Sequence, residues 1–321
     1  MATVREIESW LQEINALPPY PVDVPSKVLP PPDQIADGVF FDTETTGLFP
    51  DDGARVAVVS VAYEVKGDDG IWYFAFPFDQ HRATEKGFEL QYTARGELKV
   101  AVDLEAWTED VNLPESEWHF LLDWLAEVGR VSSLDAHNGY FDLQQIRAGT
   151  RLWPGRGLLR GFGWDSMLAQ SVVEPLSPLG LKTIAAEKFG VEETEESLIV
   201  QRCLIAARRL YGLRQDNSVR YDLIPWRANG PYAAQDAILG YQLRNRQRAM
   251  IEEEGAGSYE RVNDEIALMG TLYKMTCRGF GPYDSERSEA WARFISDRIS
   301  VLEARLPFSP PTLPRACEYY F

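Results

Sequence analysis

The chain has 321 residues, 45% of them hydrophobic, with 24 glycines and 20 prolines. That is enough for one large domain or two ordinary ones, and the apolar content excludes wholesale disorder. A formal net charge of -17, from 32 Lys and Arg against 49 Asp and Glu, argues against a protein that holds nucleic acid by its overall charge.

No run approaches the ~20 apolar residues of a membrane span, and Met1 to Trp10 carries charges where a secretory signal needs an apolar core. The expectation is a cytoplasmic protein, in a bacterium or a phage-infected host. Cys203, Cys277 and Cys317 have neither the number for a disulfide framework nor the spacing of zinc ligands. There is no G-x-x-x-x-G-K-S/T loop and no G-x-S-x-G elbow, which disfavours nucleotide-hydrolase and serine-hydrolase chemistry.

Residues 1–17 read as a short amphipathic helix, with Val4, Ile7, Trp10, Leu11 and Ile14 at helical spacing. Seven prolines between Pro18 and Pro32 then predict an extended arm with no helix in it. Residues 1–34 form this N-terminal helix and arm, and the main domain is expected over 35–255. Val39, Phe40 and Phe41 lead as a short strand into Asp42. Strands follow over 54–65 and 71–78, joined by Gly- and Asp-rich turns. Residues 79–112 read as a surface insertion. An amphipathic helix is predicted over 115–128, a strand over 131–136, a helix from about Gly139 and a short strand over 164–167. From there to Glu254 the pattern is helical. Two further helices, over 259–275 and 285–306, make 256–321 a small helical unit. Hairpin strands followed by alternating helices and strands give an α/β domain with a mixed sheet.

Charge is uneven along this chain. Between Gln201 and Arg248 there are nine arginines and three aspartates, with no lysine or glutamate. Two readings stay open: a local surface for a polyanion, or a solvated helical face with arginine stems lying over apolar neighbours.

Three short motifs carry carboxylates. Asp42-Thr43-Glu44 sits at the end of an apolar strand, where residues two apart point the same way. Two carboxylates so close repel each other unless a cation joins them, and hard oxygen ligands suit Mg2+ or Mn2+. Asn138 and Asp142 lie four apart at a helix start, and so do Tyr232 and Asp236 behind Pro231. Each motif alone is also an ordinary strand end or helix start.

In order, the three motifs resemble the DEDD superfamily of 3′–5′ exonucleases, in its tyrosine branch. A histidine branch would place His at 231, where this chain has Pro231. The match is closer to the proofreading domain of family A DNA polymerases. It rests on Phe41-Asp42-Thr43-Glu44-Thr45-Thr46-Gly47-Leu48, on His137-Asn138 through Phe141-Asp142-Leu143, on Trp164-Asp165-Ser166-Met167-Leu168, on Gly180-Leu181-Lys182-Thr183-Ile184-Ala185, and on Glu265 to Asp284. It covers roughly residues 38 to 300.

The resemblance implies a ribonuclease H-like mixed sheet flanked by helices. It implies two divalent metal ions, Mg2+ or Mn2+, held by Asp42, Glu44, Asp142 and Asp236, with Tyr232 orienting a water. It implies removal of nucleotides from single-stranded DNA 3′ ends. Substrate contacts are expected from Thr43, Leu48, Asn138 and Phe141, and from Arg208 and Arg209 on the charge argument alone. The chain lacks the several hundred residues of a polymerase module, so the resemblance leaves room for a separate polymerase subunit or a missing polymerase domain. Two alternatives stand beside this one. One is an RNA-trimming exonuclease like ribonuclease D. The other is a catalytically silent scaffold for a split polymerase.

Overall fold

The computed structural model describes residues 9–10, 12–14, 16–48, 54–79, 88–92, 98–103, 111–149, 156–190, 195–210, 220–278 and 293–294. Its central strand is β1 (Ile35–Thr45), eleven residues long and buried along most of its length. β2 (Val56–Val65) and β3 (Ile71–Pro77) follow β1 as antiparallel neighbours. On the other side, β6 (Leu134–Ala136) and β7 (Phe162–Asp165) pair in parallel. The result is a five-stranded mixed sheet in the order β3-β2-β1-β6-β7. This is the expected α/β architecture, consistent with a ribonuclease H-like fold. Between β3 and β6, where the sequence suggested an insertion, β4 (Phe88–Tyr92) and β5 (Leu98–Asp103) form a separate two-stranded sheet.

Strand periodicity assigns the faces. Phe40, Asp42 and Glu44 share one side of β1, and Val39, Phe41 and Thr43 share the other. On the first side, Phe40 packs with Ala62 of β2 and with Ala237 and Tyr241 of the long helix Trp226–Glu254. At this crossing a Cβ on Gly240 would lie 2.0 Å from the Phe40 ring, so only glycine lets the helix approach so closely. On the second side, Tyr63 of β2 meets Trp124 at 5.7 Å between ring centroids. Trp124 belongs to the helix Glu115–Val131. Phe41 makes an edge contact with Phe162 of β7.

Among the described residues, 9–10, 12–14 and 16 are helical, and the helices after them are, in chain order, α1 (Pro25–Val28), α2 (Glu115–Val131), α3 (Gly139–Gly149), α4 (Arg156–Gly161), α5 (Ser166–Val173), α6 (Leu181–Phe189), α7 (Glu195–Leu210), α8 (Trp226–Glu254) and α9 (Ala256–Arg278). Four sequence expectations need correction. The helix expected over 115–128 runs on to Val131, so the strand expected over 131–136 is confined to Leu134–Ala136. The proline arm does hold a helix, the one-turn α1, because proline at the first helical position forfeits no hydrogen bond. The last strand is 162–165 and not 164–167, because Asp165 caps α5 and Ser166 is already helical. Pro231 lies inside α8, which begins at Trp226.

The arm runs along the domain. The Trp124 indole donates to the Pro30 carbonyl at 2.6 Å, and the Trp226 indole donates to the Pro21 carbonyl at 3.1 Å. Ser26 donates through its hydroxyl to Glu117 at 2.8 Å. Ile14, from the segment before the arm, is buried against Val200, Cys203 and Ala206 of α7 and Tyr232 of α8.

The chain divides into two compact units, Met1–Thr271 and Leu272–Phe321. The helix expected over 285–306 lies outside the described residues, apart from 293–294, which are helical. Among the described residues no helix is long and apolar enough to cross a membrane.

Candidate metal centre

β1 continues through Thr45, so the Asp42-Thr43-Glu44 motif sits at the end of the strand, as its sequence suggests. Asp42 and Glu44 therefore face α8, together with Phe40. Asp236 is one residue before Ala237, which packs on Phe40, so the same contact that closes the core presents Asp236 to the two strand carboxylates. One oxygen each from Asp42, Glu44 and Asp236 falls within 4.8 Å of the others. Glu44 and Asp236 are buried and Asp42 is half-buried.

What fixes α8 in this position is a buried ion pair. Arg244, fully buried, donates to Asp135 of β6 at 2.6 Å and to the Asp37 carbonyl at 2.5 Å. Arg248 reaches Asp37 at 2.9 Å. One helix is thus tied to β1 and β6 near its C-terminal end and carries Tyr232 and Asp236 near the other.

Asp142 approaches from α3. Thr43 points away from α8, and its backbone N–H and its hydroxyl both donate to Asp142 Oδ1, at 3.0 Å and 2.6 Å. Asp142 is buried and close enough to Asp42 for their charges to interact, yet it stands outside the group of three. α3 is itself held at its start by Asp165. That carboxylate accepts the backbone N–H groups of Asn138 and Gly139 at 3.1 Å and 2.8 Å, and those of Met167 and Leu168 at 2.9 Å and 3.2 Å. Asn138 occupies the left-handed region at φ 60°, a conformation asparagine tolerates better than most residues. At Gly139 a Cβ would come within 2.3 Å of the Phe162 ring.

The electrostatics follow from burial. The Asp42 carboxyl is pushed up to about 7, first by loss of solvent and then by the charge of Asp236. Burial raises Glu44 and Asp142 well above the usual carboxylate range, with neighbouring carboxylates adding to it. Asp236 is raised as well, chiefly by burial, although Lys182 opposes the shift. Burial and the nearby Glu44 also hold the Tyr232 hydroxyl well above its ordinary value. Three acids converging in a dry pocket are costly to ionise together unless a cation neutralises them. The set is all carboxylate oxygen, without thiolate or imidazole, and so fits a hard divalent cation.

The other expected contacts fall around this centre. Leu48 is exposed, and Gln145 of α3 holds its carbonyl and that of Gly47 at 3.1 Å and 3.2 Å. Phe141 and Asn138 are half-buried, and Thr43 is buried with its polar groups turned to Asp142. Arg208 and Arg209 lie on α7, but their side chains are outside the described residues. Of the described arginines in the island, Arg244 is buried and others pair with neighbours nearer the surface. Arg220 pairs with Asp222 and Arg202 with Glu13, each at 2.7 Å, and the exposed Arg246 donates to the Lys188 carbonyl at 3.1 Å.

Two side chains at the site carried no role in the sequence reading. Lys182 of α6 donates to the Tyr232 hydroxyl at 2.5 Å and lies 3.3 Å from Asp236 Oδ2. Tyr221 stacks on Tyr232 with centroids 5.9 Å apart and hydroxyls 3.4 Å apart. The sequence offered only a weak signal for Lys182, inside a segment already matched as a block, and none for Tyr221. No family model and no curated protein matches the chain.

Proposed function

We propose that this chain is a metal-dependent 3′–5′ exonuclease that removes nucleotides from DNA 3′ ends, as the proofreading partner of a DNA polymerase. The observation that carries this reading is the meeting of Asp42, Glu44 and Asp236 oxygens within 4.8 Å, with Tyr232 and Asp142 beside them. Carboxylates from a strand and a distant helix have been brought together in a buried place where they repel. A fold accepts that arrangement when a cation is bound there in use.

Asp42, Glu44 and Asp236 would hold divalent metal, Mg2+ or Mn2+, with Asp142, held by Thr43, supporting beside Asp42. Two such ions would supply charge stabilisation at the scissile phosphate and a water acidic enough to give hydroxide near neutral pH. The remaining work belongs to the chain. The Tyr232 hydroxyl lies close enough to Asp236 for the two to interact and would orient the attacking water. Its hydroxyl is held well above its ordinary pKa, so it serves as a hydrogen-bonding group and not as a proton acceptor. Leu48, exposed beside the strand end, would lie against the terminal base. Few base contacts are expected, which suits a sequence-independent grip on a single strand.

The test is digestion of a 5′-labelled single-stranded DNA, beside an RNA of the same sequence, with Mg2+ or Mn2+. Stepwise shortening of DNA from its 3′ end, lost in Asp42→Ala and Asp236→Ala variants that remain folded, is the expected result. Cleavage of RNA alone would move the assignment to an RNA-trimming enzyme. No digestion with either metal would leave a scaffold.

A further inference from the structure

Lys182 is the second residue of α6, a helix with no acidic residue in its first turn. A cation there opposes the positive end of the helix dipole, so helix stability does not explain it. Its surroundings do. The ammonium lies 3.3 Å from Asp236 Oδ2, and it also faces Asp42 and Glu44 closely enough to favour their ionised forms. These are the three carboxylates that converge. The same ammonium donates to the Tyr232 hydroxyl at 2.5 Å and sits 3.8 Å from the centroid of its ring.

We propose that Lys182 is the resident counter-cation of the metal-free cluster and competes with the incoming divalent ion, which must displace the ammonium from Asp236 in order to bind. The proposal rests on the metal-centre reading above. A lysine suits the task for three reasons. Its charge is compact, so it neutralises a carboxylate at short range without forking across two of them as an arginine would. Its stem is flexible, and its side chain is 44% exposed, so it can leave without disturbing the core. Its contacts with the Tyr232 ring and hydroxyl do not depend on Asp236, and they retain the ammonium at the edge of the site. The cluster thus avoids standing unneutralised, and the price is weaker metal affinity.

The experiment measures Mn2+ binding in the absence of nucleic acid, by electron paramagnetic resonance of the free ion. It compares the intact chain with Lys182→Met, Lys182→Arg and Asp42→Ala. Lys182→Met should bind Mn2+ about fivefold to tenfold more tightly, because a competing charge next to a ligand has gone. Lys182→Arg should stay within about twofold of the intact chain, since it keeps the charge. The metal-free Lys182→Met protein should melt at a lower temperature and gain more from saturating Mn2+. Equal or weaker Mn2+ binding by Lys182→Met, while Asp42→Ala still abolishes binding to the intact chain, overturns the competition and leaves the metal centre standing. If the intact chain binds no Mn2+, or Asp42→Ala binds it equally well, both readings fall. A measurement on the intact chain guards against a variant that does not fold. Reductive methylation of Lys182, followed by peptide mass spectrometry, should speed up when Mn2+ is added. An unchanged rate overturns the proposal.

Discussion

Thr43 gives both its backbone N–H and its hydroxyl to one oxygen of Asp142, at 3.0 Å and 2.6 Å. The middle residue of the first carboxylate motif therefore ties that strand to the helix bearing the second. Thr43→Val keeps the shape and removes the hydroxyl, leaving a buried carboxylate with one partner fewer. The expected loss is about 1–3 kcal/mol of stability, read by urea denaturation, together with slower DNA digestion. Unchanged stability would mean that water replaces the hydroxyl and that the tie is not structural.

Protonation of the cluster predicts how the metal-free protein responds to pH. The folded state holds the Asp42 carboxyl at about 7, against an ordinary 3.8. Between those values the folded chain keeps a proton that the unfolded chain has lost, so stability falls as pH rises through that window. The metal-free melting temperature should drop from about pH 5 to about pH 7.5, and saturating Mg2+ should recover most of the difference. For the same reason Asp42→Asn should raise the metal-free melting temperature near pH 8. A melting temperature that climbs over this interval in the chelated protein would contradict the burial argument.

Tyr232→Phe removes one hydroxyl and keeps the ring stacked on Tyr221. A water-orienting role predicts a rate loss of about 10- to 100-fold, smaller than the loss in Asp42→Ala. Equal losses in the two variants would instead make the hydroxyl indispensable to proton transfer.

Gly240 is where α8 crosses Phe40. Gly240→Ala would set a methyl 2.0 Å from the ring, and relief requires the helix to move. Overpacking of this kind costs about 1–3 kcal/mol or more, and the movement carries Asp236 with it. The variant should lose Mn2+ affinity as well as stability, a pairing that a remote core substitution such as Leu125→Ala should not show.

The arginines divide by orientation, and their variants should divide too. Arg244→Met leaves buried Asp135 with Ser133 and a longer contact to Arg248 as partners and should cost up to about 3–5 kcal/mol, with folding as the readout. Arg208→Glu is expected to weaken single-stranded DNA binding and flatten its salt dependence. No change in that slope would return this part of α7 to an ordinary solvated surface.

These contrasts mark what the sequence can reveal. The apolar run Val39 to Phe41 and the valine-rich 54–65 stretch announced β1 and β2, because burial on both faces of a sheet leaves a compositional trace. The carboxylates were legible because strand and helix periodicities act locally. The limits are equally physical. Asp165 serves at once as the last residue of a strand and the cap of a helix, so the pattern around Trp164 did not show where one ended and the other began. Pro231 suggested a helix start, yet Trp226, anchored to the Pro21 carbonyl, starts the helix earlier. A count of arginines records charge and not direction, so it could not tell Arg244, inside the fold, from a side chain facing solvent. Lys182 and Tyr232 lie fifty positions apart, and nothing in either local pattern indicates that they touch.

The proline arm has a consequence for how this molecule could be shortened. Every candidate ligand lies beyond Ile35, and a designer trimming to the smallest piece that keeps all of them would cut there. That cut would strip the carbonyls of Pro21 and Pro30 from two indoles on opposite sides of the sheet and uncover the apolar patch that Ile14 fills beside Tyr232. A piece that keeps these contacts begins upstream of the arm, and the leading residues act as a clasp around the domain.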